Sequence, residues 1–215
     1  QTTASDNTAV GSNAMRYTTT GYSNTAVGLN VMHNNTTGTQ NVAIGQGALY
    51  ENETSNLNTA VGYQALEETT SAKNTAVGGY ALTDNTTGTQ NVAIGYASLA
   101  NNTTASNNTA LGYEALTANT TGNTNTAIGD RAMFTNTTAD RNVAVGHEAL
   151  YTLNVSMDSF NSALGYQAGY SMSTGYFNTC IGGEAGKPIT TGTNNTAVQA
   201  KTLPLLPSLA ITRYV

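Results

Sequence analysis

The chain alternates small and branched apolar residues in short bursts separated by polar turns. The burst is the same each time: Asn, a small β-former, Ala, an aliphatic residue, then Gly. It begins at Asn7, Asn24, Asn41, Asn58, Asn74, Asn91, Asn108, Asn125, Asn142, Asn161, Asn178 and Asn195, with a period of seventeen broken by one step of sixteen and one of nineteen. Alternation of this kind over so few residues predicts a short β-strand. Its return at a fixed short period predicts a solenoid, in which each repeat is a coil that buries its core only against its neighbours. The expected fold is all-β: a parallel β-solenoid, or β-roll, of about twelve 17-residue coils.

Counting the Asn as position 1, position 2 is Thr, Val or Ser and position 3 is Ala except at Cys180. Position 4 is Val, Ile or Leu, and position 5 is Gly until Gln199. Strand residues alternate sides, so positions 2 and 4 share an aliphatic face and positions 3 and 5 share a nearly bare one. A bare face suits close approach of another backbone. We expect positions 4 and 9 to supply the sizeable core side chains and the Ala/Gly face to meet neighbouring chains. Ala followed by Leu or Met at positions 8 and 9, as at Ala48–Leu49 and Ala115–Leu116, predicts a second short strand or a bend. Asn-Thr-Thr-Gly segments, as at 35–38, 85–88 and 119–122, predict the closing corner, with side-chain-to-backbone hydrogen bonds and a residue tolerant of positive φ. A helical alternative rests on the Ala-Leu pairs. Its runs of about six residues are shorter than the roughly 12 that an isolated helix needs.

Two sizeable apolar side chains per coil are few for ordering so many residues, which predicts self-association, and a cyclic homotrimer would supply the missing burial. The repeat sets a domain of 1–199. Residues 200–215, with Pro204 and Pro207 in an apolar run, form a non-repeat tail expected to cap the chain, wrap a neighbour or join the next module. The longer of the two off-period steps, nineteen residues from Asn142 to Asn161, is read as a short bulge. That bulge, within Tyr151 to Phe160, is a candidate lateral contact.

Composition narrows the function. Charged residues make up 9% of the 215, against roughly 25% in an average soluble protein, and the net charge of −5 is spread without a basic run. Nucleic acid is therefore not an expected partner. No apolar run of about 18 residues points to membrane insertion. Cys180 stands alone at an Ala position, as a small buried filler. His33 and His147 occupy non-equivalent positions and the acids form no ladder, so no catalytic group, metal site or cofactor is expected, and the chain does not read as an enzyme. The recurring Asn is expected to bond the backbone from coil to coil.

The strings Asn41-Val-Ala43-Ile44-Gly45 and Asn91-Val-Ala93-Ile94-Gly95 resemble the head repeats of trimeric autotransporter adhesins. That resemblance implies a left-handed parallel β-roll assembled as a homotrimer. The fuller motif of residues 58–66, Asn-Thr-Ala-Val-Gly-Tyr-Gln-Ala-Leu, also resembles repeats of phage tail-fibre and related virion fibre proteins. The typical adhesin head repeat is three positions shorter than the repeat of this chain, and the extra positions are expected in the Thr-Thr-Gly corner. No anchor barrel, coiled-coil stalk or signal segment is recognisable within these residues, which favours a phage fibre over a bacterial surface filament or adhesin head. The expected role is a rigid spacer and host-surface attachment element on a virion, extracellular, with itself as partner and a cell-surface glycan or protein receptor as ligand.

Tyr63, Tyr96, Tyr113 and Tyr166 at position 6, with Tyr80 one place later, are the candidate ligand-facing residues. A tyrosine offers a flat apolar face and a hydroxyl to a sugar, although packing across subunits accounts for the same residues. Thr-Thr columns raise ice binding as a minor alternative. Asn-x-Thr sequons at Asn35, Asn85, Asn119 and Asn136 matter only in a glycosylating host.

Overall fold

A computed structural model describes residues 3–156 and 158–199. The proposed tail, 200–215, lies outside them. Twelve three-residue strands run from β1 (Thr8–Val10) through β2 (Thr25–Val27), β3 (Val42–Ile44), β4 (Thr59–Val61), β5 (Thr75–Val77) and β6 (Val92–Ile94). They continue with β7 (Thr109–Leu111), β8 (Thr126–Ile128), β9 (Val143–Val145), β10 (Ser162–Leu164), β11 (Thr179–Ile181) and β12 (Thr196–Val198). They form a single parallel sheet in sequence order, with Ala26 opposite Ala43 and Ala43 opposite Ala60. The architecture is a parallel β-solenoid of twelve strands and eleven complete coils, because the coil opened by β12 runs beyond the described residues.

Each coil has one strand. Of the second short strand or bend expected at positions 8 and 9, the structure forms a turn, with φ of 51° at both Gln64 and Leu66. Positions 7, 9 and 17 repeat this left-handed conformation, which L-residues adopt only when packing holds them there. The Gly at position 5 is required by close approach. Its φ is +128° at Gly45, and a Cβ there would lie 2.3 Å from the Gly62 carbonyl oxygen.

The faces are the reverse of the sequence expectation. Position 3 points inward: Ala26, Ala43, Ala60, Ala76 and Ala93 are completely buried, as is Cys180. Positions 2 and 4 point outward, and Val10, Ile44, Leu111 and Ile181 are exposed. The reason is the size of the tube. With the strand and the opposite turn closed by so short a coil, the interior under the strand admits a methyl group and little more. The volume is filled instead by Ala at position 8 and by Leu or Met at position 9, which are buried in coils 2 to 9 apart from Ser98 in the position-8 slot and Val31 in coil 2.

Two columns of buried asparagine close the tube. In the first, at position 1, each Oδ1 accepts the backbone N–H of the Asn one coil on, as from Asn91 to Asn74 at 3.0 Å and from Asn108 to Asn91 at 3.0 Å. Its Nδ2 crosses the coil to a corner carbonyl, as from Asn91 to Ala105 at 2.8 Å. The second column is the Asn of the Asn-Thr-Thr-Gly corner. Asn102 donates to Asn85 at 2.7 Å, Asn119 to Asn102 at 3.1 Å and Asn136 to Asn119 at 3.0 Å. Among the described residues no buried side-chain nitrogen or oxygen lacks a partner. This satisfaction is what makes an amide-lined interior tolerable.

The irregular coils adjust in the same places. In the 16-residue coil, Thr69 and Ser71 replace the corner Asn, and Asn85 donates to both hydroxyls at 3.1 and 3.0 Å. In the 19-residue coil Leu153 takes the place of the corner Asn and is buried in the core, and Ser159 donates to Asn142 Oδ1 at 2.8 Å.

Candidate functional site

The outward strand face is bordered by two rims. Position 17, immediately before each Asn, is exposed in every coil, and position 6 is exposed in every described coil except at Gly79. Positions 17, 2, 4 and 6 thus form one continuous band along the rod. Seventeen of the twenty-one exposed large apolar side chains lie on it, among them Leu57, Ile94, Tyr113, Phe160, Leu164 and Phe177. The strand positions themselves carry no charge. Clustering of this order is unlike the scattered apolar residues of an ordinary surface.

Of the residues singled out in the sequence, Asn41 and Asn91 stand in the first amide column, and Ala43 and Ala93 in the core. Gly45 and Gly95 turn the corner, and Ile44 and Ile94 are on the outward band. Tyr63, Tyr96 and Tyr113 are brought together. Tyr80 enters their column from position 7 because position 6 is Gly79 in that coil, leaving room for the Tyr96 ring, 3.7 Å from where a Cβ would sit. Successive centroids lie 5.2, 5.8 and 5.6 Å apart. The contacts at Tyr80 are edge-to-face and Tyr96 is stacked on Tyr113. Tyr166 stands apart, stacked on His147 at 5.3 Å. These rings touch one another within the chain and remain partly exposed at the surface of the rod.

The column is weakly polar. Desolvation, and then the neighbouring Tyr63 phenol, push the Tyr80 hydroxyl above its ordinary pKa; a hydrogen bond to Glu114 does the same for Tyr113. Arg131 donates from Nε to Glu114 at 2.9 Å and lies 5.7 Å from the Tyr113 ring centroid. That hydrogen bond holds the guanidinium above its usual value.

Sequence reasoning missed the position-17 rim, where Phe160 and Phe177 stack at 5.1 Å. The signal was apolar residues immediately before the repeat Asn. It also missed a second aromatic column at position 10, in which Phe134, Tyr151 and Tyr170 stack at 5.3 and 5.1 Å. The threonines behind the ice-binding alternative are engaged: at position 13 the hydroxyls of Thr36, Thr86 and Thr120 donate to carbonyls of the next coil. The sequon asparagines 35, 85, 119 and 136 are completely buried.

A pocket of about 360 Å³, lined by Ala9, Ala14, Met15 and Thr18, marks the open end of the described stack. Among the described residues no group of three or more His, Cys, Asp or Glu side chains could hold a metal ion, and no helix is long and apolar enough to cross a membrane. No protein-family model, curated protein or solved structure matches the chain.

Proposed function

We propose that this chain is a non-enzymatic structural and adhesive fibre segment that assembles with copies of itself, as a homotrimer, through the outward strand band. The observation that carries this reading is the concentration of exposed apolar side chains on a single, nearly uncharged band running the length of the rod. Such a surface is stabilised when another apolar surface covers it. A parallel stack with strands about 4.8 Å apart makes a rod whose length grows with coil number, which suits a spacer. The sparse charge makes association insensitive to salt, as an extracellular fibre requires.

The repeat's likeness to virion fibres makes a phage tail fibre, acting as spacer and host-surface attachment, the first reading. A bacterial surface filament or adhesin head shares the same geometry and is the second. A glycan or protein receptor would meet the surfaces that association leaves free, including the aromatic column at position 10. Light scattering coupled to size exclusion tests the proposal: a mass near three times 22.2 kDa is expected. A stable monomer overturns it. In that case the outward Thr and Val positions are a free, regular array, and thermal hysteresis becomes the measurement to make.

A further inference from the structure

The chain has no tryptophan. Its one cysteine, Cys180, is completely buried, and so are Met32, Met133 and Met172. With indole absent and these sulfur atoms enclosed, phenol is the group through which a one-electron oxidant in solution meets the described residues. Several of the tyrosines pack only on other ring types, Tyr50 on His33, Tyr166 on His147 and Tyr176 on Phe177. Tyrosine touches tyrosine in two places: between Tyr151 and Tyr170, and along the column of Tyr63, Tyr80, Tyr96 and Tyr113. A tyrosyl radical carries much of its unpaired spin on the ring carbons ortho to oxygen, and two such radicals join there as dityrosine. Touching pairs therefore decide where that bond can form within a chain.

Electrostatics and geometry favour one pair. A cation over a ring opposes removal of an electron from it, and Lys187 lies 5.9 Å from the Tyr170 centroid and Arg131 5.7 Å from that of Tyr113. The charge beside Tyr80 is of the opposite sign, the Glu67 carboxylate. Tyr63 and Tyr80 are also the closest neighbours in the column, at 5.2 Å, with their planes inclined by 73°. Tyr80 meets Tyr96 at 5.8 Å, while Tyr96 on Tyr113 and Tyr151 on Tyr170 lie nearly flat, at 12° and 7°. The rings of a biaryl are twisted about the bond that joins them, so an inclined pair reaches the product with less reorientation than a flat stack. Both Tyr63 and Tyr80 are exposed.

We infer that Tyr63 and Tyr80 are a modification site, at which one-electron oxidation forms a dityrosine staple between the coils of β4 and β5. With hydrogen peroxide activated by a haem peroxidase as oxidant, each phenol loses one electron and its O–H proton. The two ortho carbons join, and the hydrogen on each of them returns to the phenol oxygen. The pair has then lost two hydrogens in all, and the peroxide has become two waters. The staple falls where the second amide column is interrupted: Asn52 donates to Asn35, but Asn85 meets Thr69 and Ser71 of the 16-residue coil in place of an Asn. A covalent link there closes a loop of one coil and removes conformations from the unfolded chain. It lies within one chain and does not depend on the self-association proposed above.

Lys73 stands between the two tyrosines, so trypsin separates them into peptides 17–73 and 74–131. The full chain, treated with hydrogen peroxide and a haem peroxidase, is expected to show blue dityrosine fluorescence and still to run as a single chain on a denaturing gel. After denaturation and digestion, the two peptides are expected joined, two hydrogens lighter than their sum. The urea midpoint of the treated protein should rise. Tyr63→Phe and Tyr80→Phe keep the rings and remove only the hydroxyl; each is expected to abolish the joined peptides and the rise in midpoint. The double variant Tyr96→Phe/Tyr113→Phe is expected to keep both. Joined peptides that survive Tyr80→Phe, covalent dimers in place of the stapled single chain, or no dityrosine fluorescence from the unaltered chain would each overturn the inference.

Discussion

A Cβ on Gly169 would lie 2.8 Å from Leu150 Cδ2, in the coil before it. Gly169 and Gly186 occupy position 9, which is Leu or Met in the preceding coils, while position 12, Asn in most of those coils, becomes Leu153, Met172 and Ile189. The core's apolar bulk moves from one wall of the tube to the other, and the second amide column ends where it does so. Gly169→Leu is expected to cost about 1–3 kcal/mol through overpacking. Met172→Asn is expected to cost about 2–5 kcal/mol by removing a buried side chain. The pair together should cost less than the sum, since the new leucine refills the volume. Urea unfolding of the three variants checks this, and strict additivity would show that the two sites do not share one cavity.

Asn91 accepts the N–H of Asn108 and donates to Ala105 inside the tube. Asn91→Ala strands the buried N–H of Asn108, whereas the Ala105 carbonyl keeps its hydrogen bond from Asn102 Nδ2 at 3.0 Å. A loss of about 1–3 kcal/mol in urea unfolding is expected. The same substitution at Asn7 should cost distinctly less, because Asn7 is itself only half-buried.

Neighbouring residues on β6 face opposite ways, so they should fail differently. Ile94→Lys places a charge on the outward band; it should leave the far-ultraviolet circular dichroism intact and reduce the solution mass toward that of one chain. Ala93→Leu forces a larger side chain into a completely buried position and should unfold the coil. An Ile94→Lys protein that keeps its mass would remove the band from the assembly.

Burial pushes the Cys180 thiol above its ordinary value. The thiolate is the reactive form, so the folded protein should react with Ellman's reagent far more slowly than the protein in urea. The sign of the pH dependence follows. A pKa higher in the folded than in the unfolded chain means that this group's contribution is fully present below the unfolded value, about 8.5, and is lost as pH rises through the folded one. Cys180→Ala should abolish that alkaline loss at a cost of about 1 kcal/mol.

The repeat asparagines and the Gly at position 5 could be read from the sequence as a parallel stack. A fixed period forces each coil to pair with its copy, and few other residues than Gly could sit where Gly45 nearly touches Gly62. The aromatic column of Tyr63, Tyr96 and Tyr113 was legible for the same reason, since equal positions in successive coils must stack. Which face of the strand is inside was not legible. Alternation separates Ala93 from Ile94 but does not say which of them the tube can hold; that depends on the width of the closed coil, a property of the whole repeat. The ordinary rule that the larger apolar residue lies inside therefore inverts here, and the aliphatic side chains left outside are what a second copy would cover.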